Sequence, residues 1–201
     1  MIEVEKKFQL TGEQEQSLLA GAVFVNEKTF ADVYYDTPAY FTTKQDWWLR
    51  QRESRWELKV GIKTGKETVV GRYDELETES EIRAKLGLKQ QKTFAEDLAA
   101  AGYKPYCHCI TTRKKYKKEG FTIDLDTVAY NNDLFTFTIA EIEAMVESET
   151  GIDEAVREII VFAKKQGLEV VPLRGKVVEF LKQQKPEHYK ALVAAGVLRE
   201  H

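Results

Sequence analysis

The chain has 201 residues, enough for one substantial core or at most two small ones. Hydrophobic residues make up 43% and charged residues 31%, which argues against a disordered chain and predicts a globular, soluble protein. With 33 acidic and 30 basic side chains, the slight negative charge argues against a protein-wide nucleic-acid surface. We find no apolar run of 18 residues and no signal peptide, so we expect no membrane association and a cytoplasmic location.

The first stretch, residues 2–8, alternates as a β-strand does. Glu3, Glu5 and Lys7 fall on one face, and apolar side chains fall on the other. At about 3.3 Å per residue, Glu3 and Lys7 lie roughly 13 Å apart, far enough to hold a metal at one end and an anion further along. Taken alone, the pattern is better explained by a solvated edge strand that carries scattered charges. The same pattern must therefore recur downstream to favour a site.

Further strands and helices follow in order. Residues 11–20 form a predicted helix with a capping box at Thr11 and Gln14. A β-rich run covers residues 22–37 and ends in a turn at 36–38. In the next strand, residues 46–52, alternation places Trp48, Arg50 and Arg52 on one face.

A hairpin turn at residues 53–55 leads into a strand at 56–60, where Glu57 and Lys59 share a face. A weaker strand is predicted at 68–77, and its inward face is not fixed by the pattern because acids continue beyond it. Two helices are then predicted, at 80–86 and 93–101, the second with a capping box at Thr93 and Glu96.

A long hairpin is predicted from strands at 104–117 and 121–128, joined by a turn at 118–120. Arg113 lies on the first arm, and Asp124 and Asp126 share a face of the second. The strand at 134–146 repeats the theme with Glu141 and Glu143. Within the hairpin, Cys107 and Cys109 share a face, and we interpret them as reduced structural thiols rather than metal ligands.

Three amphipathic helices are predicted to complete the chain, at residues 152–167 with Gly167 as a C-cap, at 173–182 and at 186–195. Lys176 lies on the second of these helices. Because no linker rich in Gly, Ser or Pro and no internal repeat interrupts the sequence, we expect a single domain over residues 1–201.

At least five strands therefore carry charged pairs at i and i+2. A sandwich with these faces in water would show the same alternation. Like charges side by side on an open sheet are unfavourable, however, which suggests that ligands of opposite charge lie between them. We therefore predict an α+β protein built on an eight-stranded antiparallel β-barrel, a tunnel with a polar, charged interior and flanking helices. Such a lining suits Mg²⁺ or Mn²⁺ together with a polyphosphate.

The ordered motifs resemble the CYTH superfamily of triphosphate tunnel metalloenzymes, and most closely its animal-type thiamine triphosphatase branch. The resemblance spans almost the whole sequence and is carried by Glu3-x-Glu5-x-Lys7, residues 32–38, Trp48-Leu49-Arg50-Gln51-Arg52, Trp56-Glu57-Leu58-Lys59, Arg113, Asp124-x-Asp126, Glu141-x-Glu143 and Gly175-Lys176.

This resemblance implies Mg²⁺-dependent hydrolysis of thiamine triphosphate to thiamine diphosphate and phosphate, with water as the nucleophile. It implies metal binding by Glu3, Glu5, Asp124, Glu141 and Glu143, with Asp126 as a less certain ligand. It implies substrate binding by Lys7, Trp48, Arg50, Arg52, Lys59, Arg113 and Lys176, and a catalytic dyad of Lys59 and Tyr34. It further implies a small-molecule triphosphate as partner, no nucleic acid, no membrane and a monomer.

The resemblance also implies that Trp48 stacks on the organic part of the substrate, and an aromatic face suits the cationic ring of thiamine. The alternative is a tryptophan that packs at the barrel mouth for stability. The loop between Gly61 and Gly71 differs from that expected of vertebrate thiamine triphosphatases, which leaves an inorganic triphosphatase as the main alternative. A non-catalytic polyphosphate-binding module and a class IV adenylate cyclase are the remaining alternatives.

Overall fold

The computed structural model describes residues 1–62, 71–130, 135–173 and 175–198. Its centre is a closed antiparallel barrel in the order β1-β5-β4-β3-β2-β6-β7-β8, which confirms the predicted tunnel. The strands are β1 (Ile2–Phe8), β2 (Val23–Asp36), β3 (Trp47–Arg52), β4 (Arg55–Gly61), β5 (Gly71–Leu76), β6 (Lys104–Lys118), β7 (Phe121–Tyr130) and β8 (Phe135–Val146).

Six α-helices accompany the strands in the described part of the chain: α1 (Gly12–Leu19), α2 (Glu79–Leu86), α3 (Phe94–Ala100), α4 (Ile152–Lys165), α5 (Lys176–Gln184) and α6 (Pro186–Ala194). None of these helices combines the length and the apolar character needed to cross a bilayer. The capping boxes predicted for α1 and α3 are present, and a third box, Thr78 with Glu81, begins α2.

Local sequence explains where most elements turn or stop. The β6–β7 turn places Glu119 and Gly120 at φ values of 49° and 87°, the backbone of a tight hairpin turn. Gly167 adopts a φ of 76° after α4, as expected of a glycine that caps a helix. The helix predicted from Leu173 begins only at Lys176, with Gly175 as its N-cap residue.

Parts of two predicted strands fall on residues outside the described ranges. β5 starts at Gly71, so residues 68–70 of the prediction, and most of the loop between Gly61 and Gly71, lie outside the described residues. β8 starts at Phe135, and Leu134 likewise lies outside them. Residues 71–76 and 135–146 pair with their neighbouring strands, whereas Glu77, the last residue of the first prediction, lies beyond β5.

Closure of the barrel brings distant charged residues opposite one another. β1 pairs with β8 so that Glu5 faces Glu143 and Lys7 faces Glu141. β6 pairs with β7 so that Arg113 faces Asp126. Because side chains alternate along each strand, these registers turn the charged positions inward together.

The apolar faces of β1, β3, β4, β7 and β8 turn outward and are covered by helices, whereas Ile110 on β6 stays exposed. α4 packs its buried Ile159 and Phe162 on a cluster that includes Val4 and Ile142. α2 and α3 cover the outside of β3 and β4 in a second cluster, which contains Trp56. These contacts place the main apolar cores between the barrel and its helices.

Helix α5 differs from α1 to α4, since it packs, with α6, on residues of the inward face. Phe180 and Leu181 belong to a cluster with Tyr34, Cys109 and Tyr130. The Tyr130 hydroxyl donates a hydrogen bond of 2.7 Å to the Lys176 carbonyl. The sequence pattern predicts a covering helix, whereas these contacts place α5 across one end of the barrel. The first residue of α5, Lys176, consequently enters the tunnel.

Candidate active site

The barrel encloses a cavity of about 1340 Å³. The predicted site residues that line it are Glu3, Glu5, Lys7, Tyr34, Trp48, Arg50, Arg52, Lys59, Arg113, Glu141, Glu143 and Lys176. Asp124 does not line the cavity but is fully buried, where it pairs with Arg113 and with Lys115 at 2.9 Å. Residues scattered over the whole chain therefore meet in one space.

Five carboxylates form the acidic wall, which we define as Glu3, Glu5, Asp124, Glu141 and Glu143 on the neighbouring strands β1, β7 and β8. Oxygens of Glu3, Glu5 and Glu143 lie within 4.8 Å of one another, and so do oxygens of Asp124, Glu141 and Glu143. Glu143 belongs to both groups. Carboxylate oxygens gathered in this way are the ligands that hard divalent cations prefer.

Crowding changes the acidity of this wall. Burial raises the pKa of Glu143 to about 8, helped by the charges of Glu3, Asp124 and Glu141. Burial also raises the pKa of Asp124. For Glu3, burial opposes ionisation, but the ammonium of Lys59 outweighs it and the pKa is lowered. For Glu141, too, burial opposes ionisation, but Lys7 and Arg113 outweigh it and hold its pKa well below the usual range. Without a bound cation, Glu143 is thus the carboxyl group that keeps a proton near neutral pH.

The basic wall consists of Arg50, Arg52, Arg113 and Lys176, carried by β3, β6 and α5. Asp32, whose side chain is fully buried, anchors two of these cations. Arg52 donates two hydrogen bonds to it, at 2.8 and 3.1 Å, and the Lys176 ammonium donates one at 2.9 Å. A bidentate guanidinium–carboxylate pair fixes the direction of both groups.

The other arginines are held in the same manner. The Arg50 Nε donates to Glu57 at 2.7 Å. Arg113 donates to Asp126 at 2.6 and 2.7 Å and to Glu141 at 3.0 Å. Asp126 therefore orients an arginine in this structure, and it is not in either group of potential metal ligands among the described residues.

Lys59 sits between the walls. Its ammonium donates to Glu3 at 2.5 Å and lies 2.9 Å from Glu75 and 3.6 Å from Glu5. Burial disfavours the charged form, but these carboxylates outweigh burial and hold the pKa of Lys59 well above its usual value. Lys59 is consequently a protonated ammonium. It donates hydrogen bonds and does not serve as a base.

Tyr34 lies on β2 beside the basic wall. Its hydroxyl accepts a long hydrogen bond of 3.5 Å from Arg50. Burial raises the pKa of Tyr34, so the phenol stays neutral. Tyr34 and Lys59 thus both enter the site in their protonated forms.

The predicted set of site residues leaves out several neighbours that the structure brings to the site: Asp32, Glu57, Tyr73, Glu75 and Lys115. Glu57 and Lys115 share strand faces with predicted residues, and this signal could have found them. Tyr73 and Glu75 lie on the strand whose inward face the pattern left open. Asp32 is a single acid in an aromatic run, with no charged partner two residues away.

At one end the cavity becomes apolar. Trp48, Phe137, Val197 and Leu198, here called the aromatic mouth, line the cavity and pack on the cluster under α5. The indole Nε1 of Trp48 donates a hydrogen bond of 2.8 Å to Asp46. This bond fixes the ring at the point where the charged lining ends.

Comparison with known proteins identifies the family: the CYTH domain matches residues 1–171. The chain belongs to the CYTH family. The thiamine-triphosphatase of Homo sapiens is 30% identical over 220 residues, covering 100% of this chain and 93% of the human protein. The thiamine-triphosphatase of Macaca fascicularis is 31% identical, with coverages of 96% and 90%. The resemblance seen in the motifs is confirmed.

Solved structures show the same CYTH fold. PH1819 from Pyrococcus horikoshii OT3 has a TM-score of 0.65 at 24% identity and covers 90% of this chain and 99% of its own. The protein HpAC1 from Hippeastrum, described as a putative adenylyl cyclase with a dominant triphosphatase activity, has a TM-score of 0.52 at 15% identity. It covers 90% of this chain and 95% of its own. At these identities the likeness concerns the fold alone.

Proposed function

We propose that this CYTH protein hydrolyses thiamine triphosphate to thiamine diphosphate and phosphate with the help of a divalent cation. The observation that carries the proposal is the acidic wall facing the basic wall inside one closed tunnel. Two relatives named thiamine-triphosphatase, aligned over almost their whole length, support the choice of reaction.

The acidic wall is the proposed cation site. Its donors are carboxylate oxygens within 4.8 Å of one another, a set that fits Mg²⁺, with Mn²⁺ as the alternative. Glu3, Glu5 and Glu143 would hold the ion, together with Glu141 and Asp124. When bound, the cation would polarise the phosphate oxygens and neutralise the charge that develops on them.

The basic wall is the proposed phosphate site. Arg50, Arg52, Arg113, Lys176 and, from β1, Lys7 present N–H groups toward the same cavity. Their carboxylate partners hold the guanidinium groups in fixed directions before substrate arrives. Since phosphoryl transfer needs mainly alignment and charge stabilisation, preorganised donors supply most of what this reaction requires of a protein.

Lys59 and Tyr34 are the proposed catalytic residues. Because Lys59 is an ammonium, we assign it a role in orienting the attacking water and the terminal phosphate, and not the removal of a proton. The neutral Tyr34 hydroxyl would donate to a phosphate oxygen while accepting from Arg50. Water is the nucleophile in this proposal.

The aromatic mouth is the proposed site for the organic part of the substrate. Trp48 offers an indole face to the thiazolium ring, and a cation over such a face gains about 0.5 to 2 kcal/mol. Inorganic triphosphate would use the charged walls alone. The mouth therefore bears on which triphosphate the enzyme prefers.

The test compares initial rates on thiamine triphosphate, inorganic triphosphate and ATP, each with Mg²⁺ and with Mn²⁺, in chelator-treated protein. We expect the highest kcat/KM on thiamine triphosphate and no turnover without a divalent cation. A higher kcat/KM on inorganic triphosphate would replace the proposal by an inorganic triphosphatase. Tight binding of all three without turnover would leave only a binding module.

A further inference from the structure

Phe30 occupies an unusual position among the cations of the basic wall. It lies on β2, two residues before Asp32, and is partly buried. The guanidinium carbon of Arg52 lies 4.1 Å from the centre of its ring, the Lys176 ammonium 5.4 Å and the guanidinium carbon of Arg113 5.8 Å. Three cations from β3, α5 and β6 thus converge on one aromatic ring.

Phe30 does not itself line the cavity, whereas all three cations do. Phe30 shares one face of β2 with Asp32 and Tyr34, so its ring contacts the three cations from the inner side of the barrel wall. A ring in this position can hold the cations while they still reach the cavity. Its effect on a bound phosphate would be transmitted through Arg52, Arg113 and Lys176.

Electrostatics explains why an aromatic ring suits this place. Asp32 and Asp126 already form ion pairs with these three cations, and the negative face of the ring adds a further attraction for each of them. A carboxylate there would also attract them, but it would accept hydrogen bonds and add a full negative charge beside the phosphates. The ring attracts cations while leaving their N–H donors for other acceptors.

We infer that Phe30 is a positioning residue that holds Arg52, Arg113 and Lys176 ready for the phosphate groups of the substrate. The inference rests on the proposed function, because it assumes that these cations bind phosphate. The competing explanation is that Phe30 only fills space between β2 and its neighbours. If Phe30 positions the cations, the site requires an aromatic ring. If Phe30 only fills space, an apolar side chain of similar volume is enough.

Three variants separate them. Phe30→Leu keeps an apolar side chain but removes the ring, and Phe30→Tyr keeps the ring. Phe24→Leu is the matched control, since Phe24 lies on the same strand, is 54% exposed and has its ring against Tyr116. Thermal unfolding of each variant verifies that the fold is retained.

The measurement is calorimetric binding of inorganic tripolyphosphate, which has no organic part. From the strength of cation–π contacts we expect Phe30→Leu to weaken binding by about 5- to 20-fold. Phe30→Tyr should stay within about 2-fold of the wild type, and Phe24→Leu should not differ from it. In turnover, Phe30→Leu should raise KM more than it lowers kcat. Binding by Phe30→Leu equal to that of wild type, or a loss shared by Phe30→Tyr, would overturn the inference.

A second readout needs no substrate and separates this inference from the proposed function. The ring current of Phe30 should shift the Arg52 Nε–H proton resonance upfield, and Phe30→Leu should remove that shift while Phe30→Tyr retains it. If the wild type neither binds nor cleaves triphosphates, the proposed function fails, and Phe30 has no phosphate to position. If triphosphates bind and the resonance does not move in Phe30→Leu, the proposed function stands and the inference is wrong.

Discussion

The two walls of the tunnel are held together in opposite ways. On the basic wall each arginine has its own buried or half-buried carboxylate, such as Asp32 for Arg52 and Glu57 for Arg50. On the acidic wall the carboxylates crowd one another, and the pKa of Glu143 rises to about 8. The basic wall is therefore balanced within the protein. On the acidic wall Lys7, Lys59, Arg113 and Lys115 neutralise part of the charge, but Glu143 has cations no nearer than 3.9 Å among the described residues and depends on a proton or a bound cation.

This difference indicates what each wall is built to receive. A balanced wall keeps its shape without ligand and presents fixed N–H donors to phosphate oxygens. A crowded wall has a strong preference for positive charge, which a divalent cation supplies without the loss of ligand oxygens that protonation causes. Substitutions on the two walls should consequently have effects of different kinds and of opposite sign.

The largest effect is expected at Lys59, which lies between the walls. Lys59→Ala should lower kcat by about 10²- to 10³-fold or more, because it removes a charged donor at the reacting phosphate. Steady-state kinetics with thiamine triphosphate and Mg²⁺ measures the loss. The control is Lys114→Ala, whose side chain is half exposed on β6 and should leave kcat unchanged. Near-normal turnover of the Lys59 variant would refute its catalytic role.

On the basic wall, Asp32→Asn should lower the free energy of unfolding by about 3 kcal/mol, because it leaves Arg52 and Lys176 with unpaired charge in a buried place. Urea unfolding measures the change. Glu27→Gln is the control on the same strand, and its half-exposed side chain should alter stability by less than about 0.5 kcal/mol. An Asp32 variant as stable as the control would mean that this wall is not balanced by Asp32.

On the acidic wall, Glu143→Gln should raise the free energy of unfolding of the metal-free protein. The folded pKa of Glu143 is about 8 against an ordinary 4.5, so between these pH values the folded protein holds a proton that the unfolded chain has lost. The wild type should then lose stability as pH rises through this range, and Glu143→Gln should be the more stable by about 1 to 3 kcal/mol at pH 8.

Urea unfolding at pH 5, 6.5 and 8 with a chelator tests this sign. With Mg²⁺ present the order should invert, since the wild type gains a ligand carboxylate that the variant lacks. Parallel stability curves for the two proteins at all three pH values would contradict the view that this wall is crowded.

The smallest effect is expected beyond both walls, at the aromatic mouth. Trp48→Ala should lower kcat/KM for thiamine triphosphate by about 10-fold and that for inorganic triphosphate by less than about 3-fold. Trp47→Phe, the neighbouring tryptophan whose ring contacts Phe41 and Lys85, should spare both substrates. Equal losses on both substrates in Trp48→Ala would indicate packing damage and not recognition.

Much of this arrangement was predictable from the alternation of charged and apolar residues along the strands. Glu3, Glu5, Glu141 and Glu143 lie at i and i+2 with apolar residues between them, and the structure turns them inward as expected. Turns were equally predictable where the chain needs positive φ or a cap, as at Gly120. Such signals are local, and strand faces and caps depend mainly on local sequence.

The sequence pattern does not predict which strands pair with one another in the barrel. Asp32 reaches Lys176 over 144 residues, and Phe30 meets cations from three elements. Neither contact follows from spacing, because both depend on which strands become neighbours. The position of α5 across one end was also hidden, since an amphipathic pattern indicates an apolar face but not the surface that this face will meet.

The pairing of β1 with β8 has a consequence for synthesis on the ribosome. Ile2 faces Val146 and Phe8 faces Ala140, so β1 must wait for a partner strand that is synthesised much later. Such high contact order slows folding and leaves β1 as an open edge in the nascent chain. Before β8 is synthesised, a chaperone or another strand could bind this edge. The segment exposed in this way is the one that later supplies Glu3 and Glu5 to the site.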